Sequence, residues 1–426
     1  MKLRRGPIIA GALTVIVLVT VLAPRVLLRR GFKTVDVSTA AELQEMLTDP
    51  SDRVSIVLAP GVYHLKATAA VDSTCGNCED PADRVPVTVG LQISGRQVWI
   101  LGPDRGEAVI HTHAGYGIYF KDCEDCGIAG VTITGGERDT AQAATDAAIV
   151  AKNSRVSILN NRITGNIGDS TVVVTGVVGI MGICGRENSF LWVRENDIVR
   201  NSWDGIALYR DAEAEIELNL IDGVDKARGS EVGGGRGVGI GVTWNAKARI
   251  SQNVVRRYWK GIGVFVDGHA VVQQNIVEEM LTWGIAYWDA GKGEPYAFIE
   301  DNVVFDCGAC GVSITRETPF ETDESPGGFA GNIVAKTGQN PKYDDPDYYC
   351  YQCALALQAV PERFAIRDNL YFDNRRASDD LPDHDVSEED FLAKKSSHLE
   401  RVLASAPDWF WEQSRFLQTY ALDERD

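Results

Sequence analysis

The chain has 426 residues, 44% of them hydrophobic, and a formal net charge of −18. Residues 1–33 carry seven Lys and Arg and no acid, so the remainder stands at −25. So acidic a body repels phosphate backbones and argues against a nucleic-acid partner, while an acidic polysaccharide would need a local basic strip.

In chain order, Lys2, Arg4 and Arg5 precede an apolar run over residues 7–24, and Arg25, Arg29, Arg30 and Lys33 follow it. The run is near the lower limit for crossing a bilayer and also suits the core of a signal peptide. No small-x-small cleavage site closes it, and Pro24 follows Val21-Leu22-Ala23. Residues 1–33 therefore read as an uncleaved signal anchor, a transmembrane helix holding an exported body in the periplasm or outside the cell. A cleaved signal peptide is the other reading. Next, Ser38 to Leu47 (STAAELQEML) predicts an amphipathic helix over 38–47 with Ser38 as N-cap. Ser55 to Leu65 (SIVLAPGVYHL) predicts a first strand.

Eight of nine cysteines fall in four CxxC pairs: Cys75/Cys78, Cys123/Cys126, Cys307/Cys310 and Cys350/Cys353, with Cys184 left over. No His follows any pair, which excludes c-type haem attachment. In an oxidising compartment the pairs read as disulfides. Two pairs brought together would instead make a four-cysteine zinc site, and thioredoxin-like chemistry would need a βαβ context that the sequence lacks. No other cofactor is expected.

An Asn-x-aliphatic element recurs at Asn161, Asn196, Asn219, Asn253, Asn275, Asn302 and Asn332, more loosely at Asn369, at spacings of 22 to 37 residues. A second element follows it: Asp204-Gly205-Ile206, Lys260-Gly261-Ile262, Trp283-Gly284-Ile285 and Cys310-Gly311-Val312. Short alternating runs between them read as strands, punctuated by Gly and Asn turns. A period near 22 with several strands per unit predicts an all-β fold, a parallel β-solenoid, with Asn stacking on Asn at one corner.

On these repeats and on the entry segment with its Ala-Pro-Gly-x-Tyr turn, the chain resembles the pectin-lyase-like right-handed parallel β-helix family over roughly residues 35–374. The resemblance implies the fold. It implies no single activity, because that fold hosts lyases, hydrolases, epimerases, adhesins and non-catalytic surface proteins. The expected organisation is an anchor at 1–33, a β-helix at 34–374 and an acidic linker with C-terminal helices at 375–426. Those helices read as an end cap, or as a docking element for a partner through Trp409, Phe410, Trp411, Phe416 and Tyr420. Insertions at 222–237, 316–330 and 338–353 are candidate binding loops.

Alignment on the Gly-Ile pairs places Asp204, Asp211, Lys260, Asp267, His269, Asp289 and Arg316 as candidate catalytic residues along one side. Trp203, Arg210, Trp244, Trp259, Trp283 and Trp288 are candidate substrate-binding residues. Aromatic faces suit sugar rings. Paired carboxylates suit glycoside hydrolysis, and a cation beside a base suits eliminative cleavage of a uronide. The paired-Asp motifs of polygalacturonases, the acidic calcium cluster of pectate lyases and the signature of alginate epimerases are missing. The sequence thus predicts an exported, membrane-anchored β-helix that recognises or processes envelope or extracellular polysaccharide, as a lyase or glycoside hydrolase if it is an enzyme. The alternative is a non-catalytic subunit held against a membrane-protein partner.

Overall fold

The computed structural model describes residues 31–50, 52–139, 145–168, 179–223, 237–317, 326–344, 352–404 and 406–421. The anchor expected at 1–33 lies almost wholly outside these residues, as do Cys350 and most of the three insertions. No helix among the described residues is long and apolar enough to cross a membrane.

Each coil contributes one short strand to each of three sheets, of 12, 11 and 11 strands. The coil that begins at His269 shows the plan: strand His269–Gln273 in the first sheet, a corner at Asn275, strand Ile276–Glu278 in the second, then strand Trp283–Trp288 in the third. Neighbouring coils pair in parallel, and the exception is Thr68–Asp72, antiparallel to Val85–Arg96 at the start of the third sheet. Alternation along each strand points one side chain in two at the interior. In the first sheet Ile128, Ile158, Val193, Ile216, Ile250 and Val272 lie in one register row, all fully buried.

The corner asparagines stack as the sequence predicts. The Oδ1 of Asn275 accepts both the backbone N–H and the Nδ2–H of Asn253, each at 3.0 Å. The same pair of bonds links Asn161 to Asn196, Asn196 to Asn219, Asn219 to Asn253, Asn275 to Asn302, Asn302 to Asn332 and Asn332 to Asn369.

Helix α1 (Ala40–Met46) covers the first coil with a fully buried Leu43. Its N-cap is Thr39, one residue later than expected. The Thr39 hydroxyl accepts the Glu42 N–H at 3.2 Å while the Glu42 carboxylate accepts the Ser38 and Thr39 N–H groups, a capping box.

The C-terminal helices α2 (Glu388–Val402), α3 (Trp409–Gln413) and α4 (Arg415–Tyr420) correct the end-cap expectation. They lie along the outer side of the second sheet, where Phe391, Leu399, Phe410 and Phe416 cover Ile276, Phe305 and Ile333. The reason is that the second sheet's outward positions are apolar from Val254 onward, and helices α2–α4 supply the matching face. Buried Glu278 ties them down, accepting from the Arg415 N–H (2.9 Å), the Phe416 N–H and the Ser414 hydroxyl (both 3.1 Å). Helices α2–α4 leave the far end of the stack uncovered. Leu357 and Ile366, which follow interior rows, are 45% and 37% exposed. Phe410 and Phe416 are therefore engaged within the chain rather than offered to a partner.

Candidate functional site

Lys260, Trp283 and Trp288 of the expected site lie on the third sheet. Parallel register lines up Ala207, Gly241, Gly263, Ala286, Ser313 and Ala356 as a floor of small residues. Larger rows flank it, Lys260–Trp283–Cys310 on one side and Phe265–Trp288–Thr315 on the other.

Lys260 begins the strand Lys260–Phe265, immediately after the corner that follows the second sheet. Its Nζ lies 5.0 Å from the Trp283 ring centroid and 5.3 Å from that of Trp288. The two indoles meet edge to face at 5.0 Å. The Trp283 N–H is buried and has no hydrogen-bond partner among the described residues. Burial pushes the Lys260 ammonium down to about 8, an effect that the charge of Asp204 partly offsets.

Asp204 occupies the equivalent corner of an earlier coil. Burial pushes its carboxyl up to about 6, against the stabilising effects of the Val238 N–H, the Lys260 charge and the Tyr209 hydroxyl. The Val238 N–H donates to Oδ1 at 2.6 Å and the Tyr209 hydroxyl to Oδ2 at 3.5 Å. A Cβ at position 237 would fall 1.9 Å from Oδ1, so only glycine fits beside this carboxylate. Asp204 and Lys260 lie two coils apart at the same corner, with Val238 between them, and burial draws both groups toward neutrality.

The other expected site residues separate from this pair. The strand Lys260–Phe265 spans the whole sheet, so Asp267 lies at the opposite edge from Lys260 and cannot act beside it. There Asp267 accepts the Asn245 N–H at 2.7 Å, and the Asn245 side chain donates to Asp211 in the coil before. Asp211, Asn245 and Asp267 form a stack of turns. Asp289 and Arg316 are fully buried and 3.9 Å apart. Asp289 accepts the N–H groups of Gly291 (3.2 Å) and Glu317 (2.9 Å), a turn-holding role that corrects its assignment as a surface catalyst. His269 belongs to the first sheet. It lines a shallow depression of about 310 Å³ with Glu213, Lys247, Arg249 and Tyr296, away from the third-sheet floor.

Arg210 and Trp244 are likewise engaged. Arg210 sits 4.4 Å from the Trp244 ring centroid and donates to the carbonyls of Gly76 and Cys78, while the Trp244 N–H donates to Asn77 at 3.3 Å. They hold residues 76–78 in place, and Lys292 pairs with Glu79 next to them. This segment is closed by the Cys75–Cys78 disulfide. Its root is a buried ion cluster that the sequence did not disclose. Asp72 pairs with Lys152 and with Arg186 (3.1 Å), and Arg186 also reaches the Tyr116 hydroxyl (3.1 Å) and the Thr74 carbonyl (2.8 Å). Although burial opposes it, the Arg186 and Lys152 charges hold the Asp72 carboxyl below its usual range. Of the remaining tryptophans, Trp259 borders the Trp283 cluster and Trp203 borders the buried patch around Tyr209.

Among the described residues, three cysteines of the CxxC pairs depart from the disulfide expectation. Cys123, Cys126 and Cys307 are buried thiols. The Cys123 thiol donates to the Ile93 carbonyl at 3.1 Å and the Cys126 thiol to the Gly95 carbonyl at 3.4 Å, and the influence of each sulfur on the other raises the Cys123 thiol and lowers that of Cys126. The Cys353 thiol bonds to Cys310 of the preceding coil, so this contact runs across the stack. With Cys75 and Cys78 joined, the N-terminal pairs cannot together supply the four ligands of the zinc alternative.

Two further groups had no signature in the repeat. Asp139 and Asp146 meet at the corner before the strand Ala147–Lys152, where burial and the Asp139 charge push Asp146 up to about 7. His64, His111 and His113 cluster on the earliest coils. Both groups draw residues from different coils or loops, which a single-coil alignment does not compare.

A family model described as the right-handed beta helix region matches residues 105–227 and 182–325. No curated protein matches the chain. Among solved structures, an alginate lyase from Paenibacillus sp. str. FPU-7 is similar at 15% identity, with 70% of this chain and 94% of that chain covered and a TM-score of 0.47. A pectate lyase gives 11% identity, 87% and 86% coverage and a TM-score of 0.41. A periplasmic alginate epimerase gives 12%, 83% and 88%, and 0.39.

Proposed function

The chain belongs to the right-handed β-helix family, and from that premise we propose that it binds an extended, uronate-containing polysaccharide on the outer face of its third sheet and cleaves it by elimination. The observation that carries this reading is Lys260 beside two tryptophans that meet edge to face, next to a floor of small side chains, with Asp204 at the same corner two coils earlier. Indole faces take the apolar faces of sugar rings. Elimination needs a cation to neutralise the uronate carboxylate and a base to accept the proton alpha to it, while the glycosidic C–O bond beta to the carboxylate breaks and its oxygen leaves with a proton from water or from the base. Between pH about 6 and about 8 Lys260 is protonated and Asp204 ionised, which suits them to those two roles. Two-carboxylate hydrolysis fits less well, because Asp211, Asp267 and Asp289 sit at the opposite edge in turns.

The proposal extends to location. The basic-flanked apolar run at 7–24 supports an exported body tethered by residues 1–33, and the Cys75–Cys78 disulfide suits an oxidising compartment. Recovery of the chain in a membrane fraction, with its body open to added protease from the non-cytoplasmic side, is the expected outcome.

The test of activity incubates the full chain with acidic and neutral polysaccharides, following reducing ends and the absorbance of unsaturated uronides. Unsaturated product that disappears in Lys260→Met and Asp204→Asn supports the reading. Reducing ends without unsaturation would replace elimination by hydrolysis. Absence of binding to every glycan would sink the polysaccharide reading and favour the non-catalytic subunit.

A further inference from the structure

Three histidines from two adjacent coils and the following corner meet at the N-terminal end of the stack. His64 ends the strand Gly61–His64, and His111 ends the strand Ala108–His111. Parallel register sets these two directly side by side. His113 follows in a left-handed conformation (φ 50°) that turns the chain back toward them. The three rings stack at centroid distances of 4.6, 5.4 and 6.0 Å. One nitrogen from each lies within 4.8 Å of the others.

We propose that His64, His111 and His113 form a binding site for one divalent transition-metal ion, zinc in the first instance, with Glu137 as the carboxylate behind it.

The hydrogen bonds already have the form such a site needs. The Nδ1 of His113 is 3.2 Å from the Glu137 carboxylate, which fixes the proton on that nitrogen and leaves Nε2 with its lone pair directed inward. That Nε2 lies 3.1 Å from the Nδ1 of His64, so these two nitrogens share one proton between them. An ion placed there takes both lone pairs once His64 shifts its proton to its other nitrogen. His111 supplies the third nitrogen. Its Nδ1 is kept clear by Gly135 of the next coil, where a Cβ would come within 3.0 Å of it. Zn–N bonds of about 2.0–2.1 Å at tetrahedral angles set nitrogens about 3.3 Å apart, so small side-chain rotations close the present arrangement on an ion. Three neutral imidazoles favour zinc, copper or nickel over calcium or magnesium, which prefer oxygen. Three protein ligands also leave the fourth position of a tetrahedral ion open to water or a ligand.

The test uses the full chain without a histidine tag, stripped with a chelator and titrated with Zn²⁺ by calorimetry, then with Co²⁺ by visible absorption. One equivalent of zinc should bind, with the Co²⁺ spectrum of a four-coordinate site and no uptake of Ca²⁺. The double variant His64→Gln/His113→Gln should lose at least about 100-fold in affinity, and Glu137→Gln about 10-fold. Both changed histidines are at the surface, and an unaltered thermal unfolding profile without metal shows that the fold survives. Zinc binding equal in wild type and the double variant assigns the ion elsewhere and overturns the site, as does a wild-type protein that takes up no zinc.

Discussion

Asp204 shows what burial does to one residue. Its folded pKa, about 6, stands above the ordinary carboxylate value of 3.8, so the folded state holds this proton more tightly than the unfolded chain does. The stability this confers is complete below about pH 4 and is lost as pH rises through about 6. Asp204→Asn should therefore remove a pH-dependent decline in stability between those values, measured by denaturant unfolding at several pH values. An unchanged slope would mean that Asp204 is not the group responsible. In catalysis the same carboxyl and Lys260 set two limbs. We expect kcat/KM on a uronide substrate to be bell-shaped, rising near pH 6 and falling near pH 8, with the alkaline limb absent in Lys260→Arg if any activity remains. Trp283→Ala should weaken glycan binding by roughly 10-fold, about 1.4 kcal/mol, through loss of a stacking face.

At the scale of single elements, the corner ladder and the ion cluster behave differently. Asn253→Ala removes the side-chain donor to Asn275 and the acceptor of two Asn219 N–H groups in a fully buried corner, and should cost about 1–3 kcal/mol in unfolding free energy. Asp72→Asn leaves Lys152 and Arg186 buried without that counter-charge and should cost about 3–5 kcal/mol. It should also loosen residues 73–79, read as faster proteolysis near the Cys75–Cys78 disulfide. Of these two features the sequence disclosed only the ladder. Each Asn recurs within one coil of the next, and so does each Gly-Ile pair, so both the fold and the positions of Asp204 and Lys260 follow from local spacing. Asp267 failed for a local reason too: six residues of strand carry the chain across the sheet, so a neighbour in sequence becomes a residue on the far edge. Arg210 and Trp244 failed for a distant one. Their partners, Gly76, Asn77 and Cys78, stand more than 130 residues upstream, and no periodicity links the two segments. Nor does any repeat place α2–α4 along the side of the stack, because the apolar outward positions of the second sheet look like interior ones.

For the molecule as a whole, that lateral packing matters for solubility. Ending the chain after Asp385 would uncover Ile276, Phe305 and Ile333 together, and the shortened protein should aggregate in detergent solution while the intact chain stays dispersed there. Light scattering of the two purified forms checks this. The ladder also acts at this scale. Between side chains, every rung from Asn161 to Asn332 donates an Nδ2–H to the Oδ1 of the next asparagine toward the C-terminal coil, while the same Nδ2 also donates back to a main-chain carbonyl of the coil before. Amides aligned head to tail polarise one another, so each bond strengthens its neighbours and the row behaves as a single electrical object running the length of the stack. A break at its middle divides that object in two, whereas a break at its end only shortens it. Asn253→Ala should therefore cost more than Asn369→Ala by more than their difference in burial explains, and the molecule acquires a polar axis that no single coil possesses.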